Sequence, residues 1–333
     1  MKLFYSFIIP VYNRPQEILE LLESFKNLDF EPDFEIVIVE DGSAQDSRDI
    51  IDSFAKELNI KYFYKENSGP GDSRNFGMQR AKGNYFIILD SDCVLPAHYL
   101  KTVDAFLQED FVDCYGGADS ASQDFTPLQK AINYTMTSFL TTGGIRGSKN
   151  SISTFEPRSF NMGISKDAFI ATGGFAKIHP GEDPDLSQRI KKCGYKTIFL
   201  ENAFVFHKRR ISWKKFYIQV KKFGLVRPIL NKWHPKAAKI TYWFPSAFVF
   251  FVLASIILAL FLSYWFLVPL TIYLLLLLLD ATVKNKSLHV GFLSIIAMFI
   301  QFFGYGFSFL KSTFYIHFLN KDPKEKFPKL FFE

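Results

Sequence analysis

Cysteine is scarce in this sequence. Only Cys93, Cys114 and Cys193 occur in 333 residues, an odd number with no CxxC pair, so a disulfide scaffold, a zinc cluster and a dithiol redox centre are all excluded. Sparse cysteine fits a reducing compartment. A secretory signal is also missing: the apolar run after Met1-Lys2 stops at Pro10, too short and poorly flanked. The first half is therefore expected to stay in the cytoplasm. Residues 208–240 contain no acid at all, against eleven Lys and Arg. What is present is apolar: 48% of residues are hydrophobic and 17% aromatic, which excludes a disordered chain, and the length suggests two domains of roughly 150 residues each.

The net charge of +6 hides two different halves. Residues 1–207 carry 21 basic and 29 acidic side chains, a balance of −8, whereas residues 208–333 carry 18 and 4, a balance of +14. From Phe244 to Val283 run 40 residues whose only charge is Asp280, enough for two helical crossings of a hydrocarbon core roughly 30 Å thick. Leu288–Leu310 is a second uncharged run, and Ser263-Tyr264-Trp265 before Pro269 marks a hairpin, so two to three crossings are expected. Soluble helices rarely stay uncharged for such lengths. Lys284 and Lys286 place their loop on the cytoplasmic side; three crossings would then put the Lys-rich tail, 311–333, outside. The acid-free segment interleaves its cations with Trp213, Phe216, Tyr217, Phe223 and Trp233, a composition suited to anionic headgroups. Nucleic acid is the competing partner for such a patch, but the adjoining apolar run favours anionic membrane lipids and no nucleic acid.

In the first half, residues 3–11, 35–39, 60–64 and 85–89 are short apolar runs rich in β-branched and aromatic residues, separated by amphipathic stretches over 15–27, 46–58 and 71–82. That alternation predicts an α/β fold with a mainly parallel sheet. Ligands of such sheets bind beyond the carboxyl ends of the strands. Polar clusters stand at four such ends: Tyr12-Asn13-Arg14, Glu40-Asp41-Gly42-Ser43, Asn67 to Asn75, and Asp90-Ser91-Asp92. Each alone is ordinary turn chemistry; together they outline a cleft.

Asp90 and Asp92 alternate on an extended segment, where one or both can meet a divalent cation, and Mg²⁺ or Mn²⁺ prefers such hard oxygen donors with water and phosphate. Arg74 and the backbone of Gly69–Gly71 offer donors to phosphate. Further on, Glu182-Asp183 precede an amphipathic stretch that Asp185 is expected to cap. A carboxylate held beside another acid and partly desolvated gains the proton affinity a general base needs. His207 ends another apolar strand, more often a structural position, with metal ligation as the alternative. The insert before Gly173, with Gly143-Gly144-Ile145-Arg146 and Pro157 to Gly163, is expected over the sugar and acceptor.

These residues resemble the inverting glycosyltransferases of family 2, with the GT-A (Rossmann-like) fold. The motifs are FIIPVYNRP (7–15), IVIVEDGS (36–43), ENSGPGDSRNFGMQRAKGNYFIILDSD (66–92), GGF (173–175), GEDPDLSQRIKKCGYK (181–196) and FVFH (204–207), in order over residues 4–215. The resemblance implies transfer of a sugar from a UDP-, GDP- or dTDP-sugar to a hydroxyl of a glycan or lipid-linked acceptor, with inversion. It implies that Pro10, Tyr12, Asn13, Asp41, Asn67, Arg74, Asn75, Asp90 and Ser91 hold the nucleotide sugar. It further implies that Asp90, Asp92 and His207 hold Mg²⁺ or Mn²⁺, and that Asp183, paired with Glu182, is the catalytic base. Glu40 stands where Asp is commoner. Cys93 stands where a third Asp often follows, a departure expected to touch metal or donor preference, with Cys93→Asp tolerated. The QxxRW signature of processive synthases is missing after His207, so one sugar per encounter is expected.

The expected organisation is a GT-A domain over 1–207, a basic interfacial segment over 208–243, transmembrane helices over 244–310 and a Lys-rich tail over 311–333, with the catalytic domain on the cytoplasmic face of the cell membrane. A polyprenyl-phosphate glycosyltransferase is the alternative. A sugar nucleotidyltransferase is less favoured, because Tyr12-Asn13-Arg14-Pro15 is not a Gly-rich loop. A non-catalytic sugar-nucleotide-binding protein is disfavoured by the presence of both the DSD and the Glu-Asp motifs.

Overall fold

A computed structural model describes residues 2–120, 125–143, 155–207 and 212–332. In chain order the elements begin β1 (Tyr5–Val11), α1 (Pro15–Lys26), β2 (Glu35–Asp41), α2 (Arg48–Phe54), β3 (Ile60–Lys65), α3 (Pro70–Arg80), β4 (Tyr85–Leu89), β5 (Cys93–Val94), α4 (Tyr99–Glu109) and β6 (Cys114–Ser120). They continue with α5 (Pro127–Thr137), α6 (Phe139–Thr142), β7 (Asn161–Ser165), α7 (Lys166–Thr172), α8 (Glu182–Lys192), β8 (Thr197–His207), α9 (Trp213–Trp233), α10 (Phe244–Phe261), α11 (Val268–Asn285), α12 (Leu288–Thr313) and α13 (Pro323–Lys326).

The chain divides into two units. Among the described residues, the first holds 2–120, 155–207 and 331–332, and the second holds 125–143 and 212–330. This differs from the expected split at residue 207 in two places: the insert over 125–143 groups with the apolar helices, and Phe331–Phe332 groups with the sheet.

The first unit is an eight-stranded sheet in the order β3-β2-β1-β4-β7-β6-β8-β5. Strands β3, β2, β1 and β4 run parallel, while β7 lies antiparallel to both β4 and β6. Side chains alternate across a strand. Accordingly Phe7, Ile9 and Val11 pack with Ile36, Ile38, Ile87 and Leu89 on one face, while Ile8, Val37, Val39, Phe86 and Ile88 pack on the other. Both faces are covered, which is why these strands read as continuous apolar runs. Helix α1 opens on Pro15 and buries Ile18, Leu21, Leu22 and Phe25 at helical spacing. Each such side chain contributes about 1.5–3 kcal/mol by leaving water.

The second unit is helical. Ile240–Phe261, Tyr264–Asn285 and Leu288–Phe318 are long and apolar enough to cross a membrane, with Ser263 capping the turn between the first two. The basic segment forms α9, whose Phe216, Val220, Gly224 and Ile229 are buried. Gly224 lies against Ser308 and the Tyr305 carbonyl, and Gly304 against Val220 and Tyr217. Small residues at these positions let α9 and α12 approach closely. Helix α5, opened by a reciprocal Thr126–Gln129 cap, joins this unit through Tyr134, whose hydroxyl donates to Asp280 at 2.6 Å. Asp280 also accepts from Lys284 at 3.0 Å. The one acid of the apolar helices is thus paired, as a carboxylate there must be.

Candidate active site

Four strands of the first unit end at one edge, and their following loops are tied to one another by side chains. Asn13, at a positive φ of 53°, accepts the amides of Ala44 and Gln45 on its Oδ1, at 2.8 and 3.2 Å. This joins the loop after β1 to the loop after β2. Tyr12 beside it stands 54% exposed, and Pro10 completes the strand. Glu40 is fully buried and accepts the Ser47 amide at 3.0 Å and the Ser43 hydroxyl. The longer side chain in place of Asp therefore shapes the turn from inside.

Asp41 is also buried. Its Oδ1 accepts from Lys65 Nζ at 2.6 Å and the Ser68 amide at 2.9 Å, and its Oδ2 accepts the Gly69 amide at 3.0 Å. Asn67 donates to the Asp41 carbonyl at 2.9 Å. Asp41 thus sets the course of the loop leading into α3, and Lys65 balances its charge. Gly69 has φ +92° and Gly42 φ +72°, conformations that favour glycine. Asn75 spends its amide on both backbone groups of Phe175, each at 2.8 Å, so it clamps the Gly173-Gly174-Phe175 turn.

Arg74 is the hub. Its side chain is 4% exposed, with Nη2 donating to Asp90 Oδ1 at 2.7 Å and Nη1 to Glu182 Oε1 at 3.4 Å, and its guanidinium lies 5.3 Å from the Phe175 ring centre. One cation therefore links the DSD motif to the Glu-Asp motif. Asp92 Oδ2 accepts from Arg14 Nη1 at 3.1 Å, and Ser91 between the two acids is buried. Cys93 is fully buried and donates to the Phe160 carbonyl at 3.3 Å. It points inward, and a carboxylate there would be taken out of water. That burial speaks against the expectation that Cys93→Asp is tolerated.

Helix α8 starts earlier than its sequence suggests. Gly181, at φ +123°, is the residue before its first turn, and Glu182, Asp183 and Asp185 all lie within that turn. Asp185 is not the cap: it is buried and pairs with Arg189 one turn on, at 2.6 Å. Glu182 accepts from His179 Nδ1 at 2.8 Å as well as from Arg74. Burial alone would raise its proton affinity, but His179 and Arg74 outweigh burial and hold it below the usual carboxylate range. Asp183 goes the other way. Burial and then the neighbouring Glu182 charge push it up to about 6, against the opposing pull of Arg74 and Arg158. Its Oδ1 is inaccessible to solvent and has no hydrogen-bond partner among the described residues.

The backbone of His207 pairs with Cys93 at the end of β8; its side chain lies outside the described residues, as do Gly144, Ile145 and Arg146. Among the described residues no group of three His, Cys, Asp or Glu could enclose a metal. Asp90 and Asp92 carry hard oxygen donors of the kind that Mg²⁺ or Mn²⁺ takes together with phosphate oxygens. Lys65 and His179 were not singled out by sequence, and Arg14 stood in a polar cluster without a role of its own, since the partner of a lone cation leaves no local signal.

Comparison with known proteins identifies the architecture. The model of "Glycosyl transferase family 2" matches residues 6–171. The chain belongs to glycosyltransferase family 2. Among curated relatives, the poly(ribitol-phosphate) β-N-acetylglucosaminyltransferase TarS of Staphylococcus aureus is 35% identical over 112 residues, 33% of this chain and 20% of that protein. The GalNAc(5)-diNAcBac-PP-undecaprenol β-1,3-glucosyltransferase of Campylobacter jejuni is 31% identical over 114 residues, 33% of this chain and 37% of that protein. The chain spans only 15–37% of the length of these and similar relatives. Among solved structures, the mannosyltransferase PcManGT of Pyrobaculum calidifontis, in complex with GDP-Man and Mn²⁺, superposes with a TM-score of 0.57 at 15% identity, covering 97% of this chain and 89% of that one. The glycosyltransferase thus has the expected GT-A fold, followed by helices apolar enough for a membrane anchor.

Proposed function

We propose that this glycosyltransferase moves one sugar from a nucleoside diphosphate donor to a hydroxyl of a glycan or lipid-linked acceptor, with inversion, in cell-envelope glycoconjugate synthesis. Asp183 carries the reading: a carboxylate with an unpartnered oxygen and raised proton affinity is suited to take a hydroxyl proton. Glu182, held ionised by His179 and Arg74, keeps that affinity high by charge repulsion. The donor is proposed to lie along the loops that Asn13, Asp41 and Asn67 fix, with Tyr12 at its mouth and Arg74 and Arg14 supplying positive charge near its diphosphate. Asp90 and Asp92 would hold Mg²⁺ or Mn²⁺, which supplies neutralisation of the diphosphate leaving group. The catalytic unit is proposed to work on the cytoplasmic face, with the cations of α9 at anionic headgroups.

Support for a lipid-linked or polymeric acceptor comes from the undecaprenol-linked and poly(ribitol-phosphate) substrates in the names of the relatives. The test is binding of UDP-, GDP- and dTDP-sugars with and without Mn²⁺, followed by mass analysis of the product on hydroxyl and lipid-phosphate acceptors. Product confined to lipid phosphate would replace the hydroxyl reading with a polyprenyl-phosphate glycosyltransferase.

A further inference from the structure

Phe331 and Phe332 follow more than a hundred residues of helical unit and rejoin the first unit. Phe331 forms an antiparallel bridge with Ile178, and the Phe332 amide donates to the Lys177 carbonyl at 3.0 Å. The Phe332 ring then lies flush on Gly69: a Cβ added at that glycine would fall 2.3 Å from ring carbon Cδ2. The same ring stands 6.2 Å, centre to centre, from the His179 imidazole.

These contacts join the two loops that the proposed reaction must keep in register. Gly69 donates its amide to Asp41 and heads the loop assigned to the donor. His179 holds Glu182, beside the base Asp183. The loops already meet at Gly71, where an added Cβ would lie 3.0 Å from the Ala176 carbonyl and 3.2 Å from Phe175 Cβ. Phe332 adds a second fastening, at the same Gly69 whose amide Asp41 accepts.

We propose that Phe332 is a positioning residue: its ring clips the donor loop at Gly69 to the Lys177–His179 segment and so sets the distance between donor and base. This rests on the functional reading above. The ring offers no polar group, so it acts through Gly69 and His179 and takes no part in the chemistry itself. Gly69 has to be glycine for two separate reasons, its positive φ and the ring pressed on it, so a side chain at 69 would disturb the same joint.

The test uses the full chain with Phe332→Ala and Phe332→Leu. Hydrogen exchange of the amides of residues 67–71 and 177–179 reports on the clip without reference to activity, and titration with UDP, GDP and dTDP in the presence of Mn²⁺ reports on the donor loop. Phe332→Ala is expected to speed exchange in both segments at least tenfold, weaken the nucleotide that wild type binds about tenfold and raise donor KM more than it lowers kcat. Phe332→Leu, which keeps an apolar cover, is expected to recover most of each. Exchange unchanged in both loops in Phe332→Ala would overturn the clip, as would a rise in turnover, which would make the segment a block on the cleft. Should wild type bind none of the three nucleotides, the donor reading fails, and the exchange measurement alone decides the clip.

Discussion

Asp183→Asn separates the catalytic reading from a structural one, because the two effects have opposite signs. The carboxyl is raised from its ordinary value of 3.8 to about 6, a difference of about two pH units, worth about 3 kcal/mol at 1.36 kcal/mol each. A raised carboxyl binds its proton more tightly in the folded than in the unfolded chain. Stability is therefore lost as pH climbs from about 4 to 6, and the full cost is present at pH 7. An amide carries no charge to desolvate, but it still leaves a buried polar atom short of a partner. The net expectation is a variant more stable than wild type at pH 7 by about 1–2 kcal/mol, with the gain vanishing near pH 4. Turnover is expected to fall by about 10² to 10⁴, and the loss of wild-type rate below pH 6 should flatten. Thermal unfolding at pH 4, 5.5 and 7, together with turnover at saturating donor, provides the measurements. Near-full transfer to a hydroxyl acceptor would remove Asp183 as base, and a variant less stable at pH 7 than at pH 4, relative to wild type, would show that the side chain is not under the strain inferred here.

Two other substitutions probe the metal edge. Asp92→Asn should abolish the Mn²⁺-dependent part of nucleotide affinity while leaving the melting temperature nearly unchanged; equal affinity with and without Asp92 would withdraw the DSD assignment. Cys93→Asp should cost on the order of 3 kcal/mol, because it takes a carboxylate out of water at a fully buried position; a wild-type melting temperature would contradict that cost.

The parallel half of the sheet was legible because its strands are buried on both faces, and such burial leaves unbroken apolar runs followed by polar turns. The cleft residues were legible for the same reason, since polarity at a strand's carboxyl end stands out against such a run. The start of α8 was misplaced by one turn. Asp185 looks like a cap in sequence, but Gly181 takes the positive φ that begins the helix, and Asp185 is claimed by Arg189. The grouping of 125–143 with the apolar helices was not legible either: α5 has an ordinary amphipathic pattern, and its Tyr134 finds its partner, Asp280, 146 residues later. Roles that depend on a distant partner, such as Arg14 on Asp92 or Lys65 on Asp41, leave no periodic trace.

The pairing of Phe331 with Ile178 also fixes a matter of parity. A chain that leaves a folded body after His207 and re-enters it at Phe331 must return to the side of any bilayer from which it departed, so its traverses are even in number. Three crossings with the tail outside, as the hydropathy runs suggested, would part that pair across the bilayer, so an even number of crossings is the expected outcome. Exposed Cys193 supplies a native reporter for the catalytic side. A cysteine introduced at Asn320 should react with an impermeant maleimide from that same side, and labelling of the two from opposite sides would break the rule.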